Sequence, residues 1–328
     1  MSAQLPACQL LERYHGNASE LCFIAVPEDD WLVSRSAAMV SDNVALRTRW
    51  QSAERIAFSP FDEHIVLPEA PVVLFWPKAH QLGLWWLDWL CATLPDATPL
   101  EIVGEHQGGI KRVPKLLDER GLGWDKLDNA RRCSLYATRT VKRAAPDPWT
   151  RFGVGELSLV SHPGVFGHGK VDEGTRLLLE TLERELQGSP RRVLDMGCGD
   201  GIITAWLARR GFDVTAVDVS AFAVQACRRT LEANDLTARV VESNVYAGID
   251  GERFDLIVSN PPFHQEREIS FGPSARLIER ACDHLTPRGQ LVLVANAFLP
   301  YPDLLDRALG SFETLADNRR FKVYRAGR

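Results

Sequence analysis

The amino-acid sequence predicts an α/β protein with two doubly wound sheets in tandem, the second complete and the first degenerate. Three observations predict this. Through the second half, apolar runs of strand length alternate with segments of helical spacing. A cluster of glycines breaks the first of those strands. Several strands of the second half have counterparts in the first.

The second half reads element by element. "RRVLDMGCGDG" (191–201) is a short apolar run that ends in glycines, and "IITAWLARRG" (202–211) has helical spacing and a terminating glycine. "DVTAVDVS" (213–220) is the next strand and "AFAVQACRRTLEAND" (221–235) the next helix. The strands "ARVVESNV" (238–245) and "FDLIVSN" (254–260) follow, then a helix over 274–285 and the strand "GQLVLVANAF" (289–298). Strands that alternate with helices imply right-handed crossovers and a parallel sheet covered on both faces.

Composition narrows the class. Of 328 residues, 45% are hydrophobic and 25% charged, ordinary values for a soluble globular chain, and no apolar run is long enough to span a membrane. The N-terminus lacks the basic start and apolar core of a signal peptide. Seven scattered cysteines (8, 22, 91, 133, 198, 227, 282) show no metal-ligand spacing and suit reduced thiols, so a cytoplasmic protein without metal is expected. The net charge is −5, and neither half is basic: 16 basic stand against 19 acidic residues to position 150, and 22 against 24 beyond. A polyanionic partner must therefore be held by a local patch.

The glycine cluster points to a ligand. Asp195-Met196-Gly197-Cys198-Gly199-Asp200-Gly201 places three glycines at a spacing of two where a strand meets a helix, which permits a tight turn and close approach of a ligand. Asp218 closes the next strand, placed to accept hydrogen bonds from both hydroxyls of a ribose, with Val219 beside it. A dinucleotide site shares these features. The leading acid, however, suits an ammonium group and would repel a pyrophosphate, which favours S-adenosylmethionine over a nicotinamide cofactor.

The strand over 254–260 ends on Asn260-Pro261-Pro262-Phe263-His264, where two prolines stop the ladder at a rigid corner. The ordered set "VLDMGCGDG", "VTAVDVS", "ESNV" and "SNPPFH" resembles class I, Rossmann-like methyltransferases that modify planar amines. That resemblance implies that the Asn260 side-chain oxygen and the Pro261 carbonyl accept hydrogen bonds from the target amine while Phe263 stacks on the base. It implies a methionine end cradled by Asp195, Gly197, Cys198 and Gly199, a ribose on Asp218, and an adenine edge at Asn244 and Val245. His264 is the one candidate base, although a histidine closing a turn is usually structural.

Beyond the motifs, the whole chain, and most closely the part from about 158 onward, is similar to the bacterial small-subunit ribosomal RNA guanine 2-amino methyltransferase family. "PGVFGHGKVDEGTRLLLETL" (163–182) resembles the family segment that folds over the cofactor. Its four glycines around Phe166, Lys170 and Asp172 suit a flexible cover.

The first half aligns with the second: "VVLFWPKAHQ" (72–81) with "LIVSNPPFHQ" (256–265), "ARRCSLYAT" (130–138) with "NRRFKVYRA" (318–326), and "EIVGEH" with "VLVANA" between them. The offsets of the first two pairs are 184 and 188. At the equivalent corner stands Trp76-Pro77-Lys78-Ala79, with no glycine cradle before it. Residues 1–150 are thus expected to be a noncatalytic, degenerate methyltransferase-like domain and 151–328 the catalytic one. Arginines interleaved with Tyr136 (131–143) and Tyr324 (318–328) are candidate RNA contacts. Trp85, Trp86 and Trp89, at helical spacing, are core.

The resulting expectation is S-adenosylmethionine-dependent methylation of a guanine 2-amino group in small-subunit ribosomal RNA, by a monomer acting on the 30S subunit or an assembly intermediate. Large-subunit guanine methylation, adenine or protein glutamine methylation, and a noncatalytic RNA-binding assembly factor with a vestigial pocket are the alternatives.

Overall fold

A computed structural model describes residues 2–16, 20–186, 191–261 and 272–327. The chain divides into two compact units, Met1–Pro148 and Trp149–Arg328. In the first unit the strands are β1 (Leu21–Ile24), β2 (Ser36–Val40), β3 (Ile56–Phe58), β4 (Val72–Phe75), β5 (Pro99–Glu105), β6 (Trp124–Ala130) and β7 (Cys133–Arg139). The second opens with a hairpin, β8 (Thr150–Val154) and β9 (Leu157–Ser161). There follow β10 (Arg192–Met196), β11 (Asp213–Asp218), β12 (Arg239–Glu242), β13 (Phe254–Ser259), β14 (Leu285–Asn296), β15 (Phe312–Asp317) and β16 (Phe321–Gly327).

The two large sheets have the same topology. The first runs β3-β2-β1-β4-β5-β7-β6 and the second β12-β11-β10-β13-β14-β16-β15. In each, five parallel strands are followed by an antiparallel hairpin at one edge. The alignment by sequence extends to register: Ile102 pairs with Tyr136 as Leu293 pairs with Tyr324. The hairpin turns repeat too, with left-handed Arg131 and Arg132 (φ 51° and 58°) in one and Arg319 (φ 71°) in the other.

The central strands of the second sheet are buried on both faces, as continuous apolar runs in a parallel sheet must be. Val193, Leu256 and Val258 pack on one side with Leu178, Leu182 and Ile203 of the covering helices. Their strand neighbours Leu194 and Ile257 pack on the other with Ile278, Leu304 and Leu305. In the first unit Trp85, Trp86 and Trp89 are buried on the helix His80–Thr93, as their helical spacing predicts. Among the described residues no helix is long and apolar enough to cross a membrane, and no group of three or more His, Cys, Asp or Glu could hold a metal ion.

Candidate functional site

The candidate residues collect at the C-terminal ends of β10, β11, β12 and β13. Strand order reverses between β10 and β13, and that crevice is where open α/β sheets hold ligands. After β10 the chain turns through Gly197, Gly199 and Gly201 with φ of 81°, 55° and 85°, a region L side chains rarely adopt. A Cβ at Gly197 would meet nothing within 4 Å, and one at Gly199 only Val165 Cγ1 at 4.0 Å, so these two leave open space beside the turn. Gly201 differs. A Cβ there would lie 2.9 Å from Cys227, so this glycine lets two helices meet.

Asp195, next to last in β10, is completely buried. Its Oδ2 accepts a hydrogen bond from Thr204 Oγ1 (2.5 Å), but its Oδ1 has no hydrogen-bond partner. Burial pushes the Asp195 carboxyl up to about 7; the Thr204 hydrogen bond opposes this and the charges of Asp218 and Asp200 add to it. Asp200 is raised to about 6, chiefly by burial and in part by Asp172, with backbone hydrogen bonds opposing. Several carboxylates thus crowd one turn and raise one another. A buried acceptor left open in such a field is a place for a positively charged ligand group.

Asp218 ends β11, half-buried. Its Oδ2 accepts from the Gly199 backbone N–H (3.0 Å) and its Oδ1 from that of Ser220 (3.0 Å). Val219 is half-buried beside it. Beyond β12, Ser243 Oγ donates to the Val245 carbonyl (2.6 Å) and accepts from Gly248 N–H (2.8 Å). This turn holds Val245 at φ 56°, an uncommon conformation for a β-branched residue, and leaves Asn244 exposed. Cys198 sits differently from its motif neighbours. Its thiol packs in a core cluster with Val224, Cys227 and Leu231, so only its main chain faces the turn. The Cys227 thiol and burial hold the Cys198 thiol well above the usual range.

Asn260 follows β13 directly. Its Nδ2 donates to Thr175 Oγ1 (2.7 Å) and Asp172 Oδ2 (3.1 Å), and its Oδ1 is buried without a hydrogen-bond partner. Pro261 is buried beside it. Pro262, Phe263 and His264 lie outside the described residues. Asp172 is less the part of a flexible cover than its glycine-rich surroundings suggest. It caps the helix Glu173–Glu185 by accepting from Thr175 N–H (3.0 Å) and from Thr175 Oγ1 (2.7 Å). Gly164, in the same segment, is packed so closely on Phe222 that a Cβ would come within 2.2 Å of the ring. Thr175 and Thr204 are site residues that motif reading passes over. An Asp-x-x-Thr cap pattern was the one local signal for Thr175.

Residues 156–325 match the model of the methyltransferase small domain, and residues 42–152 that of its N-terminal companion domain. The ribosomal RNA small subunit methyltransferase C of Chromohalobacter salexigens is 52% identical over 99% of this chain and 98% of its own. The chain belongs to the ribosomal RNA small subunit methyltransferase C family. The Erwinia tasmaniensis member is 36% identical over 99% of this chain and 98% of its own. Among solved structures, the T. thermophilus 16S rRNA N2 G1207 methyltransferase, in complex with AdoMet and guanosine, superposes with a TM-score of 0.88 at 27% identity. That match covers 99% of this chain and 92% of the other. The tandem α/β architecture is therefore that of the family.

Proposed function

We propose that the chain transfers a methyl group from S-adenosylmethionine to the exocyclic 2-amino group of a guanine in small-subunit ribosomal RNA. It acts as a cytoplasmic monomer on the 30S subunit or an assembly intermediate. One observation carries the reading: the Asn260 amide nitrogen is engaged by Thr175 and Asp172 while its oxygen is buried and unused. An amine needs acceptors, and this corner offers one.

The residues present fit the cofactor. The open Asp195 Oδ1 suits the ammonium of a methionine end, the space beside Gly197 and Gly199 suits its close approach, and the half-buried Asp218 carboxylate at the end of β11 suits a ribose. Val245 and the exposed Asn244 border the place for an adenine, while Cys198 contributes main chain alone. When bound, the cofactor supplies an electrophilic methyl group and keeps the electron pair of the broken carbon–sulfur bond. The chain's part is to present the acceptor. A guanine amine is a poor nucleophile because its lone pair is delocalised into the ring. Asn260 Oδ1 and the Pro261 carbonyl, accepting its two hydrogens, favour the pyramidal nitrogen and stabilise the transition state more than the ground state. Phe263 would stack on the base. The surplus proton passes to solvent, so His264 is not required as a base.

The first unit is read as noncatalytic. Lys78, Lys111, Arg112, Arg131 and Arg132 are exposed on it, and no side chain of theirs forms an ion pair among the described residues. These charges support RNA-backbone contact in a chain that is acidic overall.

Single-turnover methyl transfer to 30S subunits and to naked ribosomal RNA tests the reading. Asn260→Ala should lower the rate by about two to three orders of magnitude, the loss seen when one preorganised polar group is removed, with cofactor affinity nearly unchanged. Full rate in Asn260→Ala with none in His264→Ala would replace it with general-base catalysis by the histidine.

A further inference from the structure

An asparagine at a catalytic corner has a weakness that an aspartate lacks. Its two terminal atoms are of nearly equal size, and rotation by half a turn exchanges an acceptor for a donor. If the target amine is received by Asn260 Oδ1, something must keep the nitrogen turned away. We infer that Asp172 does this, acting with Thr175 as a positioning pair that fixes which atom of the Asn260 amide faces the substrate. This rests on the reading that Asn260 accepts hydrogen bonds from the amine.

The polarity of the network runs one way. Asp172 is acceptor-only when ionised, and its Oδ2 is shared by Thr175 Oγ1 at 2.7 Å and Asn260 Nδ2 at 3.1 Å. Because the Thr175 hydroxyl spends its single proton on Asp172, its oxygen has only lone pairs to turn towards Asn260, and it accepts from Nδ2 at 2.7 Å. Both neighbours on that side of the amide are thus acceptors. A flipped amide would set its oxygen against a carboxylate oxygen and a hydroxyl lone pair, and would leave its N–H groups in the buried position that Oδ1 holds without a partner. The orientation follows from Asp172 alone, relayed through Thr175. Asp172 is itself held in place, since its Oδ1 caps the helix Glu173–Glu185 through Thr175 N–H at 3.0 Å.

Asp172→Asn separates these duties. Asparagine caps helices as well as aspartate does, so its oxygen can keep the Thr175 N–H. Its nitrogen then takes the place of Oδ2 and donates. The Asn260 amide turns its oxygen inward to accept, and its N–H groups meet the N–H groups of the target amine. Asn260→Asp alone fails for the opposite reason, since two carboxylates then oppose each other. The exchanged pair, Asp172→Asn with Asn260→Asp, satisfies both constraints. One carboxylate oxygen at position 260 accepts from the amide introduced at position 172 while the other faces the amine.

The test is single-turnover transfer by the full chain, with S-adenosylmethionine affinity and unfolding midpoint measured in parallel. Asp172→Asn should lower the rate about a hundredfold, as for loss of one preorganised acceptor, with cofactor affinity and midpoint near wild type. Thr175→Val, which removes the relay without touching the cap side chain, should lose roughly tenfold, the scale of one net hydrogen bond. The exchanged pair should recover at least tenfold over either single variant. A purely structural cap predicts a wild-type rate in Asp172→Asn and no recovery in the pair, and either result would overturn the inference while Asn260→Ala stays slow. Full rate in Asn260→Ala would instead remove the reading on which it rests.

Discussion

The two units share a strand order but not the candidate site residues, and comparing them residue by residue shows which features belong to the scaffold. Ala25 follows β1 as Gly197 follows β10. Each donates its N–H to the neighbouring strand, Ala25 to the Val40 carbonyl (3.0 Å) and Gly197 to that of Val217 (2.8 Å). Ala25 even keeps a left-handed φ of 55° at the cost of a Cβ. Ser41 stands two residues before the N-cap of the next helix, as Asp218 does. Its Oγ accepts from Asn43 N–H (3.2 Å) where Asp218 accepts from Ser220 N–H (3.0 Å). Backbone support survives in both units. The second carboxylate oxygen, the glycine cluster and an acid within the first strand are present only in the second, while the first unit's buried acid, Asp29, caps the helix Asp30–Arg35. Trp76 takes the place of Asn260, nearly buried, with its ring laid on the helix His80–Thr93. A Cβ at Gly83 would fall 2.6 Å from the indole. The corner proposed to receive a substrate in one unit is filled with the unit's own side chain in the other.

Breaking the filled corner should have the largest effect on stability. Trp76→Ala should destabilise the first unit by about 3–5 kcal/mol, the cost of truncating a buried aromatic, and leave cofactor affinity within about twofold of wild type. Calorimetric unfolding and titration check both, and new cofactor binding in the variant would mean the pocket is merely plugged. In the second unit Asp218→Ala should weaken cofactor binding by about 1.5–3 kcal/mol, the scale of hydrogen bonds to a charged group. Unchanged affinity in the folded variant would confine Asp218 to bracing the glycine turn.

The smallest effect is one of pH. With its carboxyl raised to about 7, Asp195 binds a proton in the folded chain that the unfolded chain has already released. Its contribution to stability is therefore present at low pH and lost as pH rises from about 4 to 7. A ligand ammonium needs the ionised form, so cofactor affinity should rise by roughly tenfold from about pH 6 to pH 8 as that carboxyl deprotonates. Isothermal titration at the two pH values measures this, and the gain should vanish in Asp195→Asn. The first unit has no equivalent buried acid in its first strand, Leu21–Ile24.

Much of this was legible in the sequence because the signals are local. The strands β10, β11 and β13 are short apolar runs that end on glycine, aspartate or proline, and the glycine turn is a contiguous motif. The early strands of the first unit were not legible. With three to five residues each and no glycine cluster after β1, they offer no punctuation. The Cys198 side chain could not be placed from its motif, since proximity in sequence does not tell which way a residue in a turn points. The partners of Asn260 were hidden for another reason: Asp172 and Thr175 lie 88 and 85 residues away, and no periodicity joins positions that meet only when a helix packs on the end of a strand.

The central claim is that one unit binds and the other does not. Calorimetric titration of the full chain with S-adenosylmethionine, run beside Gly197→Val, tests it most directly. In the variant a β-branched side chain enters a turn with φ of 81° and occupies the space beside it. The account predicts one cofactor per wild-type chain and no measurable binding in the variant. Two sites per chain, or a site of wild-type affinity that survives Gly197→Val, would contradict it.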